Sequence, residues 1–277
     1  MTKIKIKNSY NGLFIRVLTR RSRFRSAKLT ATLYHRGGRL GGFILNFNGM
    51  KIHLRGIVIL VGNFGSGKTE VAINLAVNGR REGLNVRIAD LDLVTRYFRT
   101  REVRRFLSNL GIEVVVPAEK YLHADLPILS PAIAGMIRRP GQLTLLDAGG
   151  DDIGATVLAT LADFLKDKSV HMLQVVNPFR PFTDTVKGCL KIRDEIEKAS
   201  KMTITGIVGN ANLIDETTIE DIYGGYDFVS ELSRESGLPL MFITAAVELL
   251  PKIDMKRFSC PVLPIRRQLV LPWQKGR

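Results

Sequence analysis

From about residue 50 onward, apolar and polar positions alternate between two patterns. Ile57-Val58-Ile59-Leu60-Val61 is an unbroken apolar run, as expected of a strand buried on both faces. Residues 67–81 then follow a helical period, and Asn85-Val86-Arg87-Ile88-Ala89-Asp90 reads as a second strand. Over residues 100–110, Val103, Phe106, Leu107 and Leu110 share one helical face, and Arg101, Arg104 and Arg105 take the other. Ile112-Glu113-Val114-Val115-Val116 reads as a third strand closed by Pro117, and residues 131–139 as a helix stopped before Pro140. Further strands are expected at 142–147, 170–176, 203–209 and 239–244, and further helices at 153–167, 183–200, 217–236 and 245–251. Strand and helix alternate throughout. That pattern predicts an α/β fold: a doubly wound, mostly parallel sheet with helices on both faces. Residues 50–277 read as one domain with a short C-terminal tail.

Composition changes this picture only at the N-terminus. The chain of 277 residues carries a formal charge of +15. Residues 1–49 hold eleven Lys/Arg and no acid, so they account for +11 of it. They include Arg20-Arg21-Ser22-Arg23-Phe24-Arg25 and Gly37-Gly38-Arg39-Leu40-Gly41-Gly42, with no clear period beyond Lys3-Ile4-Lys5-Ile6-Lys7. Three readings fit this basic, poorly patterned extension. It is an arm for nucleic acid or anionic lipid, an organellar targeting peptide, or a translated leader upstream of a natural start at Met50. The two cysteines, Cys189 and Cys260, are isolated in sequence. They favour neither a disulfide framework nor a zinc or iron–sulfur site, and they fit a cytoplasmic protein. No apolar run approaches the length of a transmembrane helix. The four histidines, His35, His53, His123 and His171, lack ligand spacing.

The candidate chemistry begins at Gly62-Asn63-Phe64-Gly65-Ser66-Gly67-Lys68-Thr69, a full G-x-x-x-x-G-K-[ST] motif between a predicted strand and a predicted helix. Glycines Gly62, Gly65 and Gly67 let the backbone curl so that successive N–H groups, including those of Asn63 and Ser66, face one phosphate. The helix N-terminus adds positive potential. Lys68 is placed to reach the β- and γ-phosphates and the Thr69 hydroxyl to bind Mg²⁺.

Two acidic positions follow. Asp90 and Asp92 end the second strand, where ligands bind in an open parallel sheet. A carboxylate there orients a water or helps to hold Mg²⁺, or else caps a turn. Asp147 ends the apolar strand Leu143-Thr144-Leu145-Leu146, which suits a Walker-B role toward Mg²⁺. Gly149 beside it allows a backbone N–H to approach a γ-phosphate. Asp151 and Asp152 read as caps of the next helix.

Together these residues resemble the MinD/ParA/Mrp branch of P-loop NTPases, grouped with the CobQ/CobB nucleotide-binding domains, over about residues 55–250. The resemblance implies a SIMIBI-like P-loop fold. It implies a switch I at Asp90 and Asp92, with Asp92 positioning the attacking water, and a switch II at Asp147 to Gly150. It also implies ATP and Mg²⁺ as ligands. Asn210, at the end of Gly206-Ile207-Val208-Gly209, falls where an asparagine commonly reads adenine. The following Ala211-Asn212-Leu213 lacks the Lys and Asp of a GTPase N-K-x-D, which favours ATP over GTP. Gly65-Ser66-Gly67-Lys68-Thr69-Glu70, with Arg96-Tyr97-Phe98-Arg99 and Asn177-Pro178-Phe179-Arg180-Pro181-Phe182-Thr183, is similar to an uncharacterised bacterial ATPase subgroup, and this brings Glu70 into the nucleotide-binding set. The branch carries a signature lysine directly after the first glycine; here that residue is Asn63. Arg96, Arg99 or Arg180 are candidates to replace that cation. Phe179 and Phe182 fit either a base site or a core.

These expectations lead first to an ATP hydrolase that switches an unidentified protein partner, with a nucleotide-dependent homodimer as one form. A ligase or kinase similar to dethiobiotin synthetase is the alternative, because that enzyme also lacks the signature lysine. A DNA-associated partition ATPase using the basic N-terminus or the arginine face is the third. In the tail, Arg266, Arg267, Trp273 and Lys275 are mixed with Leu269, Val270 and Leu271. Pro264 and Pro272 leave space for only a short helix, which disfavours a membrane-surface role.

Overall fold

The computed structural model describes residues 14–20, 28–35, 38–43, 50–92, 103–116, 131–149 and 152–269. Its chain divides into two compact units, Met1–Lys51 and Ile52–Arg277.

The first unit carries three antiparallel strands in the order β1 (Phe14–Arg20), β2 (Lys28–His35) and β3 (Gly38–Phe43). β1 and β2 pair continuously from Phe14↔Tyr34 to Arg20↔Lys28, whereas β2 and β3 pair with a shift between Ala31 and Leu33. This sheet was not evident from the sequence. In β2, Leu29, Ala31 and Leu33 do alternate with Thr30, Thr32 and Tyr34. Threonine and tyrosine contrast weakly with aliphatic residues but favour strands.

The second unit is built on one eight-stranded sheet. Its strands are β4 (Gly56–Val61), β5 (Val86–Asp90), β6 (Glu113–Val115), β7 (Leu143–Asp147), β8 (Val170–Val176), β9 (Gly206–Gly209), β10 (Leu240–Ala246) and β11 (Val262–Ile265). They lie in the order β11-β10-β9-β8-β4-β7-β5-β6, and every pairing is parallel. The helices are α1 (Lys68–Arg81), α2 (Arg104–Asn109), α3 (Pro131–Arg138), α4 (Asp152–Leu165), α5 (Val186–Ser200) and α6 (Ile219–Ser236).

The central strand shows why its apolar run is unbroken. Val58 and Leu60 pack with α1, whereas Ile57, Ile59 and Val61 pack with α3 and α4 on the other face. Alternate side chains point to opposite faces, so a strand covered on both sides needs apolar residues at every position. A third cluster joins α6 residues Ile222, Val229 and Leu232 to Ile207, Ile243 and Val262. α6 begins with a capping box, Thr218 accepting from the Asp221 N–H and Asp221 accepting from that of Thr218.

The expected alternation of elements is present, with two corrections. Residues 245–251 are not a helix. β10 continues through Ala246, the Val247 N–H donates to the Ile265 carbonyl at 3.0 Å, and a 3₁₀ turn begins at Leu250. Parallel pairing there outweighs the helix propensity of Ala245-Ala246-Val247-Glu248-Leu249. The partner strand, β11, was not among the expected strands. Pro264 sits within it, and proline is confined to sheet edges or bulges. The Pro261 and Ile265 carbonyls accept from β10. By alternation Pro264 directs its missing donor toward the open edge. On α2, Leu107 is fully buried while Phe106 and Leu110 are partly exposed; Arg104 and Arg105 are exposed. Among the described residues, no helix is long and apolar enough to cross a membrane.

Candidate functional site

β4, β5 and β7 are neighbours in the sheet, so their carboxyl ends bring the candidate residues together. The registers pair Leu60 with Asp147 and Asp147 with Asp90. Backbone bonds tie these ends. The Ala148 N–H donates to the Leu60 carbonyl at 3.2 Å and the Leu91 N–H to that of Asp147 at 2.8 Å.

The loop from Gly62 to Gly67 turns directly from β4 into α1. Gly62, Gly65 and Gly67 have φ of 138°, 74° and 89°, conformations that L side chains rarely adopt. A Cβ on Gly62 would strike the Val175 carbonyl, and one on Gly67 would strike the Asn210 amide nitrogen. Gly67 caps α1 without a side-chain bond. The Lys68 ammonium donates to the Gly62 and Asn63 carbonyls at 3.1 and 3.0 Å. The Ser66 hydroxyl is fully buried and has no hydrogen-bond partner among the described residues.

Beside this loop stand the acids. Asp90 and Asp147 are buried. The Asp92 N–H donates to Asp90 Oδ1 at 3.0 Å, fixing the turn that carries the half-buried Asp92. Burial pushes the Asp147 carboxyl up to about 7, and the Asp90 charge adds to the rise; a bond from Thr69 and the Lys68 ammonium oppose it. The donor set fits Mg²⁺, which takes one or two carboxylates and completes its shell with phosphates and water. The cradle of positive-φ glycines and the buried Ser66 hydroxyl fit a phosphate.

Several predicted residues take positions that the sequence did not indicate. Asn210 lies beneath the loop: its amide donates to the Ser66 carbonyl at 2.6 Å, and its Oδ1 accepts from the Thr244 hydroxyl at 2.5 Å. Asn63 donates its amide to the Pro181 carbonyl at 2.8 Å, and Arg180 donates to the Gly65 carbonyl at 3.2 Å. The segment from Asn177 to Thr183 therefore braces the outer rim of the phosphate loop. Phe182 is exposed at φ 69°, not in the core, and Phe179 is half-buried. Glu70 turns away from the loop: its carboxylate accepts from the N–H groups of Gln268 and Leu269 at 2.8 and 3.1 Å. Gly149 is buried, and its backbone packs so closely on Gly154 that a Cβ on the latter would overlap it. Arg96, Arg99, Arg101, His123, Gly150, Asp151 and residues 270–277 lie outside the described residues.

Thr244 and Asn74, whose amide donates to the Glu70 carboxylate at 3.0 Å, were not foreseen. A lone hydroxyl in the apolar run Leu240-Met241-Phe242-Ile243-Thr244 was the available sign for the first. Burial raises the Cys189 and Cys260 thiols to about 12 and 11, so neither is a poised nucleophile.

No protein-family model matches the chain, and no curated protein matches it. Solved structures do. The cell division protein FtsY from Thermotoga maritima aligns with a TM-score of 0.50 at 20% identity, over 73% of this chain and 65% of that one. Chloroplast FtsY from Physcomitrella patens aligns at 0.48 and 18%, over 72% of this chain and 62% of that one. The signal recognition particle 54 kDa protein from Aeropyrum pernix K1, in complex with GDP, aligns at 0.46 and 19%, over 70% and 42%. This chain thus spans less than two thirds of the length of each. At such identity the likeness is one of fold. The chain has an α/β fold with an all-parallel eight-stranded sheet, similar in fold to FtsY.

Proposed function

We propose that this chain is a cytoplasmic Mg²⁺-dependent ATP-binding protein and ATP hydrolase that acts as a nucleotide-gated switch on a partner protein. The observation that carries the reading is the loop of residues 62–69. Three positive-φ glycines, a buried Ser66 hydroxyl and the Lys68 ammonium converge there, next to the Asp90–Asp147 pair. The motif resemblance to the MinD/ParA/Mrp branch supports ATP, as does Leu213 standing where guanine recognition would place an aspartate.

In this reading the loop N–H groups bind the β-phosphate, and Lys68 leaves the Gly62 and Asn63 carbonyls to bind the γ-phosphate. Thr69, Asp90 and Asp147 would hold Mg²⁺, which supplies charge neutralisation at the phosphate oxygens. Asp92 orients the attacking water. Its turn and the backbone after Asp147 change position with nucleotide state, and a partner reads that change.

Asn63 favours a second reading. Its side chain is a neutral amide, held by the Pro181 carbonyl of the same chain, so this position offers no cation to a second copy. A small-molecule ligase or kinase of the dethiobiotin-synthetase type needs none. A nucleotide-dependent homodimer would require another bridging residue. The basic residues 1–49 are the candidate contact for nucleic acid.

The test is titration of the full chain with a fluorescent ATP analogue and Mg²⁺. Loss of a charge-assisted bond in Lys68→Ala should weaken binding by about ten- to a hundredfold without unfolding the protein. Equal affinity in the variant would refute the assignment. Light scattering with and without a non-hydrolysable analogue then separates a self-associating switch from an enzyme of constant mass.

A further inference from the structure

Four consecutive residues after β11 grip two different parts of the candidate site. The Arg266 N–H donates to Asn74 Oδ1 at 2.9 Å, and the Arg266 carbonyl accepts from the Asn74 amide at 3.2 Å. The Arg267 guanidinium bonds both carboxylate oxygens of Asp215 at 3.3 Å. Gln268 and Leu269 donate their N–H groups to Oε1 and Oε2 of Glu70. The Leu269 side chain is buried in the cluster that α1 covers. Asn74 and Glu70 lie in the first two turns of α1, and Asp215 lies in the 3₁₀ turn that follows Asn210 and Asn212.

The orientation of Glu70 is informative. In a capping box the glutamate at the third helical position returns to the N-cap backbone, but the N-cap of α1 is Gly67, which has no side chain to complete such a box. Here the half-buried side chain instead accepts from the N–H groups of Gln268 and Leu269 and from the Asn74 amide. Burial raises this carboxyl, and the same three bonds lower it. It is joined through one helical turn to Lys68 and Thr69. The segment 266–269 consequently joins the first two turns of α1 to the loop after β9.

We propose that Glu70 is a positioning residue for the nucleotide site, acting through residues 266–269 as a clasp that ties the first turn of α1 to the loop after β9. The proposal rests on the reading of residues 62–69 as a nucleotide site. With the clasp fastened, the phosphate loop and the loop after β9 hold a fixed separation, and bound nucleotide leaves slowly. With it released, the loop after β9 moves independently and nucleotide leaves faster.

Stopped-flow measurement on the full chain, with a fluorescent ATP analogue and Mg²⁺, tests this. Glu70→Ala and Arg267→Ala should each speed dissociation about tenfold, within the usual range of coupling between linked sites, and leave association unchanged. The double variant should be no faster than either single one, because both open one clasp. Glu70→Gln, which keeps an acceptor for the strap, should restore part of the slow rate. Arg267→Ala changes a partly exposed side chain, so it keeps the test open if Glu70→Ala does not fold. Faster amide exchange at Gln268 and Leu269 in Glu70→Ala, with unchanged nucleotide dissociation, would make the strap purely structural and overturn the clasp alone. Failure of the wild-type chain to bind the analogue would overturn the nucleotide reading, and the clasp with it.

Discussion

Asn210 and Ser66 lie 144 positions apart, yet the Asn210 amide donates to the Ser66 carbonyl at 2.6 Å inside the protein. The end of β9 thereby holds the phosphate loop from beneath. Thr244 in β10 completes the support by donating to the other end of the same amide. The loop's curvature is thus set by two neighbouring strands as well as by its glycines.

Asn210→Ala should therefore damage the loop. It removes the bond to Ser66 and leaves the buried Thr244 hydroxyl without this acceptor, at a cost of about 1–3 kcal/mol. Denaturant unfolding should show that loss, and triphosphate affinity should fall with it. Wild-type stability and affinity in the variant would mean that Asn210 does not shape the loop.

Gly67 and Gly83 separate backbone strain from collision. Both have positive φ, at 89° and 85°, but an added Cβ meets nothing within 4 Å at Gly83 and overlaps the Asn210 amide at Gly67. Gly83→Ala should cost about 1–2 kcal/mol, the price of the left-handed conformation alone. Gly67→Ala should cost more, and part of the excess should vanish in an Asn210→Ala background. Equal penalties at the two glycines would rule out the collision.

Asp147 predicts an inverted pH dependence. Its carboxyl is raised from 3.8 when unfolded to about 7 in the folded chain. Its contribution to stability is full below the unfolded value and is lost as pH rises through the folded value. The loss, between about pH 4 and 7, approaches about 1.4 kcal/mol per pH unit. Asp147→Asn keeps the shape without the titration. Unfolding curves across this range should show the variant gaining on wild type up to about pH 7 and running parallel above it. Mg²⁺ with nucleotide should narrow the gap by favouring the ionised carboxyl. A constant difference across the range would exclude a raised Asp147.

The central strands, α1 and the phosphate loop were legible in the sequence. Ile57–Val61 announces burial on both faces by its unbroken run, and the glycine pattern of residues 62–69 encodes a local backbone path. Asp90 and Asp147 were legible as strand ends, and their side-by-side register follows once β7 lies between β4 and β5. Residues 245–251 misled because their composition suits a helix, whereas Ala245 and Ala246 complete β10 and the Val247 N–H is taken by the Ile265 carbonyl before the chain turns. β11 was obscured by Pro264, whose place at an edge is a property of the assembled sheet.

The amino-acid sequence by itself determined what depends on near neighbours: the alternation of strand and helix, the curled phosphate loop, and an acid at the end of each of two strands. Tertiary structure decided what each polar side chain near that loop does. Asn63 finds Pro181 across 118 positions, Asn210 finds Ser66 across 144, and Glu70 finds Leu269 across 199. A carboxylate or amide carries no local sign of which distant backbone group it will satisfy. Only folding brings those groups within reach, and burial then makes an unsatisfied one costly.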